Sequence, residues 1–307
     1  MAAQTTHPVP HGASLRIDRR QDRSRHLRRL LAYSDLYHRA QWRRRYRVAG
    51  TLLVAAVAPV AVLVFPAAGE MLAVVGAAWL MVSRTALAWL EERAVYRAAA
   101  VQELYETELF ELPWNTALAG ARPAPEEVAS AAARIRRPDR YRGWFGIEVR
   151  DVPWPGDVLL CQRQSMVWSL RDHRAYSAAL LAAGLGWFTV GMALALYRDL
   201  SLADYLVRLF LPVCPALLDC VELAGAHRRH AGRREEALQE MQDLWDAHRG
   251  DPAGLDPGDC RRVQDVAYLL RRDGPKIPGI FYRLRRGASE RSTAEGAAAL
   301  VDGLETT

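Results

Sequence analysis

The densest run of chemistry-bearing side chains is CQRQSMVW, from Cys161 to Trp168. On a helix, Cys161, Gln164, Ser165 and Trp168 share one face, and Arg163, Leu170 and Arg174 lie toward another. Gln162 and Arg163 are types that read a base edge or a phosphate, and Trp168 can stack on a base. The same pattern equally suits a helix that docks on a neighbouring helix. A second dense run is Leu112-Pro113-Trp114-Asn115. Pro113 stops a helix, then a large amphipathic ring and a short amide follow. Trp114 and Asn115 form either a packing corner, with Asn115 capping the next turn, or a face for a ligand or a neighbouring subunit.

Other chemistries lack their residues. No clustered carboxylates or activated nucleophile are visible, so no enzyme is expected. Cys161 as a nucleophile would need a nearby base. No glycine-rich phosphate loop supports a nucleoside triphosphate site. Cys161, Cys214, Cys220 and Cys260 form neither a Cys-x-x-Cys pair nor zinc-finger spacing with His. No metal and no cofactor are therefore expected.

Long apolar segments must position these runs. Val48 to Gly69 carries no charge, and Met71 to Leu90 is interrupted only by Arg84. Ala175 to Tyr197 is again uncharged; Leu202 to Ala224 is weaker, holding Asp204, Arg208, Asp219 and Glu222. At about 1.5 Å per residue, roughly 20 helical residues cross a hydrocarbon core of roughly 30 Å. The expected fold is an all-α membrane protein with two transmembrane helical hairpins, four spans in all. A helical cytoplasmic region would come from the N-terminus, the central loop and the C-terminal tail. Its divisions are an Arg-rich N-terminal helix (1–47), hairpin 1 (48–90), a central segment (91–174), hairpin 2 (175–224) and a helical tail (225–307).

The first helix is expected to run into the first span. The second span should continue outward until Pro113, and a further helix should begin near Asp157 and feed the third span. GDCRRVQDVAYLLRRDG reads as a helix, and the chain after about Ser289 as loose.

A charge at the bilayer centre costs on the order of 2.5–3.5 kcal/mol on insertion scales. Arg84, Asp204, Arg208 and Asp219 are therefore expected to face a bundle interior or water, or to snorkel to the interface. Asp204 and Arg208 stand four apart and can pair. Gly184, Gly186 and Gly191 would let helices approach closely, as in a homo-oligomer.

The 307 residues carry a net charge of +6, almost all of the positive charge as Arg; Lys276 is the one lysine. That Arg and Ala content suits a high-GC bacterial genome. Arg clusters flank both termini and the central loop, and the short turns carry almost none. The positive-inside rule therefore puts both termini and the central loop in the cytoplasm. The Arg-rich N-terminal stretch does not show the short apolar core and small-residue cleavage site of a secretory signal, so none is expected in it. WRRRYR before the first span suits topology control, with anionic lipid as a further contact. Nucleic acid is the competing partner, and DNA is not expected.

Together these stretches resemble the SMODS-associated four-transmembrane family of pore-forming effectors. The resemblance is carried by Gln102 and Glu103, Leu112 to Asn115, Trp144 and Phe145, and Cys161 to Arg163 with Trp168. KIPGIFYRLRR resembles the family's Pro-containing C-terminal motif. Gln164-Ser165 departs from the family pattern, which has a more acidic-and-amide pair there. The resemblance implies a multi-pass protein of the bacterial inner membrane in a conflict system against phage. A partner nucleotidyltransferase would make a cyclic oligonucleotide, and the effector would then open a pore. Trp114, Asn115, Gln162, Arg163 and Trp168 would sense the signal; Arg84, Asp204, Arg208 and Asp219 would line a wet path. The alternative is a membrane-anchored module that recruits a cytoplasmic partner without forming a pore.

Overall fold

A computed structural model describes residues 17–64, 69–146, 152–251, 254–279 and 281. Glu70, expected in the tight turn of hairpin 1, lies instead in the first turn of a helix (Gly69–Val82), and the tail after Ser289 lies outside the described residues. Among the described residues all regular structure is helical. The helices are α1 (Ile17–Arg20), α2 (Ser24–Val64), α3 (Gly69–Val82), α4 (Ala88–Phe110), α5 (Thr116–Ala119), α6 (Pro125–Ala132), α7 (Gly156–Tyr197), α8 (Leu202–Asp204), α9 (Leu211–Gly250) and α10 (Pro257–Asp273). π-helical stretches join α3 to α4 at Ser83–Leu87, and α8 to α9 at Tyr205–Phe210.

The expected division points at 47/48, 90/91, 174/175 and 224/225 all fall inside continuous helix. α2 runs unbroken through WRRRYR into the first apolar segment. α7, 42 residues long, begins at Gly156 and carries CQRQSMVW into the third. α4 ends as its sequence requires. Glu111 turns left-handed at φ 58° and ψ 33°, and the Leu112 amide closes on the Thr107 carbonyl at 2.9 Å. Pro113 then forbids continuation. α10 starts on a capping box: Asp256 accepts from the Gly258 amide, and Asp259 accepts from the Asp256 amide at 3.1 Å.

Two environments divide the molecule. Leu30, Tyr105, Leu109, Phe110, Leu159, Met241 and Trp245 pack in one buried core, all outside the apolar segments. Burying each is worth about 1.5–3 kcal/mol. The apolar segments instead leave Leu53, Val74, Met81, Trp187, Val190 and Val221 exposed. Among the described residues one helix, α7, is long and apolar enough by itself to cross a membrane.

Within these segments α2 pairs with α3, and α7 with α9. Gly50 lets α2 approach the Trp79 ring so closely that a Cβ there would lie 2.1 Å from it. Two of the three glycines expected at an oligomer face are used inside the chain. A Cβ at Gly184 would meet Cys220 at 3.7 Å, and one at Gly191 would meet Tyr205 at 3.8 Å; Gly186 faces open space.

Candidate functional site

Asn115 is the N-cap of α5. Its side-chain oxygen accepts from the Leu118 amide at 3.2 Å, and its NH2 group donates to both Asp265 carboxylate oxygens at 3.2 Å. Trp114 donates to the Gly120 carbonyl at 2.9 Å, and the Arg122 guanidinium lies over its ring. This is the geometry of a packing corner tied to α10.

Gln162 is also turned toward α10. It is buried and donates to the Cys260 carbonyl at 2.9 Å and to Gln264 Oε1 at 3.1 Å. Gln264 in turn donates to Glu103 at 2.8 Å and to Glu106 at 2.6 Å. Arg261 donates to Glu103 and Asp265, both at 2.7 Å, and to the Pro113 carbonyl at 3.0 Å. Arg271 pairs with Glu106. Burial pushes the Glu103 carboxyl up, against the pull of Arg261 and Gln264. The corner, the Gln-Glu stretch of α4 and the start of α7 thus meet on one face of α10. Cys161 is fully buried, and burial, then Asp157 and Glu106, raise its thiol well above the ordinary value. A thiol held protonated is a poor nucleophile.

Arg163 and Trp168 stand outside this network. Arg163 Nε has no hydrogen-bond partner, and burial lowers the pKa of its guanidinium. Trp168 joins Ser165, Ser169 and His173 along the side of α7 that lines a cavity of about 300 Å³. Arg44 of α2, Glu91 of α4, Asp172 of α7, Arg234 of α9, Arg271 of α10 and Lys276 after α10 are its charged lining.

Four cations there face two carboxylates, Glu91 and Asp172. Glu91 is shared: Arg47 Nη2 lies 2.9 Å from it, and Arg44 Nε only within 4.0 Å. Buried Arg234 donates to the Ser169 hydroxyl at 2.7 Å and to the carbonyls of His230 and Leu270 at 2.9 and 3.3 Å. Lys276 donates to the Arg271 carbonyl, and Arg44 to the Lys276 carbonyl. Neither Arg234 nor Lys276 has a carboxylate in its hydrogen-bonding shell among the described residues. Burial, then Arg234 and Arg44, push the Lys276 ammonium down to about 7. Burial, then Arg271, lowers Arg234 to about 10.

His173, on the cavity wall, faces His227, Nδ1 to Nδ1 at 2.8 Å. One ring must donate and the other accept, so the two cannot both be protonated. Burial and the surrounding cations lower His173 to about 2, and His227 and His230 to about 4.

Of the charges expected at membrane depth, Arg84 and Asp219 meet at 2.5 Å and join the two hairpin segments. Arg84 sits in the Ser83–Leu87 π-helical stretch. Asp204 accepts from the Ser201 hydroxyl at 2.8 Å, as part of the cap of α8. Arg208 lies in the second π-helical stretch, and its side chain is outside the described residues.

Sequence reasoning missed Arg44, Arg234 and Lys276 as one cluster. Arg44 was absorbed into WRRRYR as a topology signal. Lys276 had one visible mark, being the only lysine in an Arg-rich chain.

Comparison with known proteins follows the same outline. The profile of the SMODS-associating 4TM effector domain matches residues 15–300. A protein of Bacillus cereus (strain VD146), named "Probable CBASS effector molecule IK1_05631", is 21% identical over 220 residues, covering 71% of this chain and 73% of its own. No solved structure matches the chain. One apolar helix and a family defined by four spans agree on membrane association. With its profile match running almost end to end, this chain belongs to the SMODS-associating 4TM effector family.

Proposed function

We propose that the chain is a non-catalytic effector of a nucleotide-signalled antiphage system, of the CBASS kind its relative is named for. It permeabilises the bacterial inner membrane when triggered. Four spans cross the bilayer, with both termini and the central segment in the cytoplasm, and several copies assemble around the path. One observation carries the reading: α7 runs unbroken from a cationic cavity wall into an exposed apolar segment. A signal bound at its base is thus linked by one rigid rod to the bilayer. α9 offers the same continuity, and the two pack together.

The Arg84–Asp219 pair supports a wet path, since both side chains are about half exposed on an otherwise apolar surface. Charges in such a position are stable where water or a second copy meets them. Arg208 and Asp204 would extend that path. The cognate nucleotidyltransferase supplies the trigger, and the sensing group centres on Trp168. Trp114, Asn115 and Gln162 transmit through α10 rather than touch the ligand, and Arg163 stands by as an uncommitted cation.

The test uses whole cells. Expression with an active nucleotidyltransferase should depolarise the inner membrane and admit propidium, and a catalytically dead synthase should leave the membrane intact. Protection from phage with a sealed membrane would instead favour an anchored module that recruits a partner. An Arg208→Leu variant that permeabilises normally would remove Arg208 from the path.

A further inference from the structure

Four cations, Arg44, Arg234, Arg271 and Lys276, line the cavity against two carboxylates, Glu91 and the buried Asp172. Arg271 is matched by Glu106, and Glu91 is divided between Arg44 and Arg47. Arg234 and Lys276 are held by hydroxyl and carbonyl oxygens. Gathering such cations away from water costs free energy unless an anion joins them. Serine hydroxyls and the Trp168 ring stand on the same wall, from α7. The volume of about 300 Å³ exceeds what a halide needs and falls at the small end of ligand pockets.

We infer that this cavity is a phosphate seat: Arg44, Arg234 and Lys276 hold one phosphate mono- or diester group, with its organic substituent against Trp168. Guanidinium forks and an ammonium suit tetrahedral phosphate oxygens, each of which accepts more than one hydrogen bond. Burial among cations lowers the Lys276 ammonium, and a phosphate anion beside it would raise it again. Two sources share this chemistry. Arg44 just precedes the first apolar segment and Glu91 directly follows the second, so a lipid headgroup is within reach of the seat. A soluble nucleotide is the other source. Assigning the seat to the trigger rests on the function proposed above; the seat itself does not.

The single lysine makes the test selective. Pyridoxal phosphate carries a phosphate and an aldehyde. The aldehyde condenses with a neutral amine, losing water, and borohydride reduces the imine to a stable secondary amine. The full chain would be treated in maltoside micelles, which contain no phosphate, and the modified peptide read by mass spectrometry. Labelling at Lys276 should exceed that by pyridoxal, which lacks the phosphate, at least tenfold. Inorganic phosphate should suppress it, and Arg44→Gln should weaken it several-fold in protein whose thermal midpoint is unchanged.

Protection by cyclic dinucleotides, and not by phosphatidylglycerol vesicles, would assign the seat to the soluble trigger. The reverse would assign it to lipid, leaving the seat intact and moving the trigger elsewhere. Equal labelling by pyridoxal, no labelling of Lys276, or no protection by any phosphate would overturn the seat. Nucleotide-triggered permeabilisation could survive all three results, so the two ideas fail separately.

Discussion

Gln162 illustrates how a residue chosen for chemistry can be used for cohesion. Its amide donates twice inside the core, to the Cys260 carbonyl and to Gln264. Gln162→Ala would leave both acceptors buried without their donor and should cost about 1–3 kcal/mol. Asn115→Ala loses a helix cap and should cost about 1 kcal/mol. Thermal or denaturant unfolding in detergent checks both, and a trigger response that moves only as far as stability does would mark them as structural. The histidines give a pH dependence with a definite sign. His173, His227 and His230 stay neutral when folded and protonate below 6.5 when unfolded. The unfolded state then binds more protons, so stability falls as pH drops from about 6.5 toward 4. Asp157, raised to about 6, opposes this between 6 and 3.8, as does Glu103, but His26, likewise lowered to about 4, makes four histidines against two carboxyls at the upper end of the window. The unfolding midpoint should therefore drop between pH 7 and 5.5, and a rise would contradict the neutral His173–His227 contact.

The helices were legible because their signals are local. Uncharged runs announce the apolar segments, Pro113 announces the end of α4, and Asn115 announces a cap. The hub role of α10 was not, because Gln264 and Arg261 meet Glu103 across about 160 residues of chain and no periodicity records such a meeting. The cationic cavity was hidden for the same reason, its members coming from α2, α7, α9 and the segment after α10. Two predictions belong to the pairing of helices. Gly50→Val should separate α2 from α3, because Trp79 already fills that space, whereas Gly76→Ala has 3.7 Å of clearance from Val54 and should be tolerated. Trp fluorescence and protease resistance distinguish the two, and equal behaviour would exclude the close contact. The Arg84–Asp219 bridge should respond to exchange. Either Arg84→Asp or Asp219→Arg alone should alter triggered release, and the double swap should restore it. A swap as defective as the singles would show that the pair acts by position rather than by mutual attraction.

At the scale of the molecule, a buried helical body outside the apolar segments grips long helices that continue into exposed apolar surface. That division explains why so much polar detail sits between the apolar runs: Pro113 to Asn115, Gln162 and Glu103 are joined through α10, where movement of one helix must be felt by the others. The segment after α10 extends the linkage, since Lys276 enters the cavity wall and Phe281 packs edge-on against Tyr176 of α7 at 5.1 Å. A ligand that shifted Lys276 would therefore pull on the base of α7. The most direct test is release of dye and potassium from liposomes holding the purified full chain, with and without a panel of cyclic di- and trinucleotides. Release set off by one nucleotide, and reduced at least tenfold in sensitivity to it by Lys276→Met, is the expected result. No release by any nucleotide, from protein verified as inserted, would contradict a ligand-gated path through the membrane.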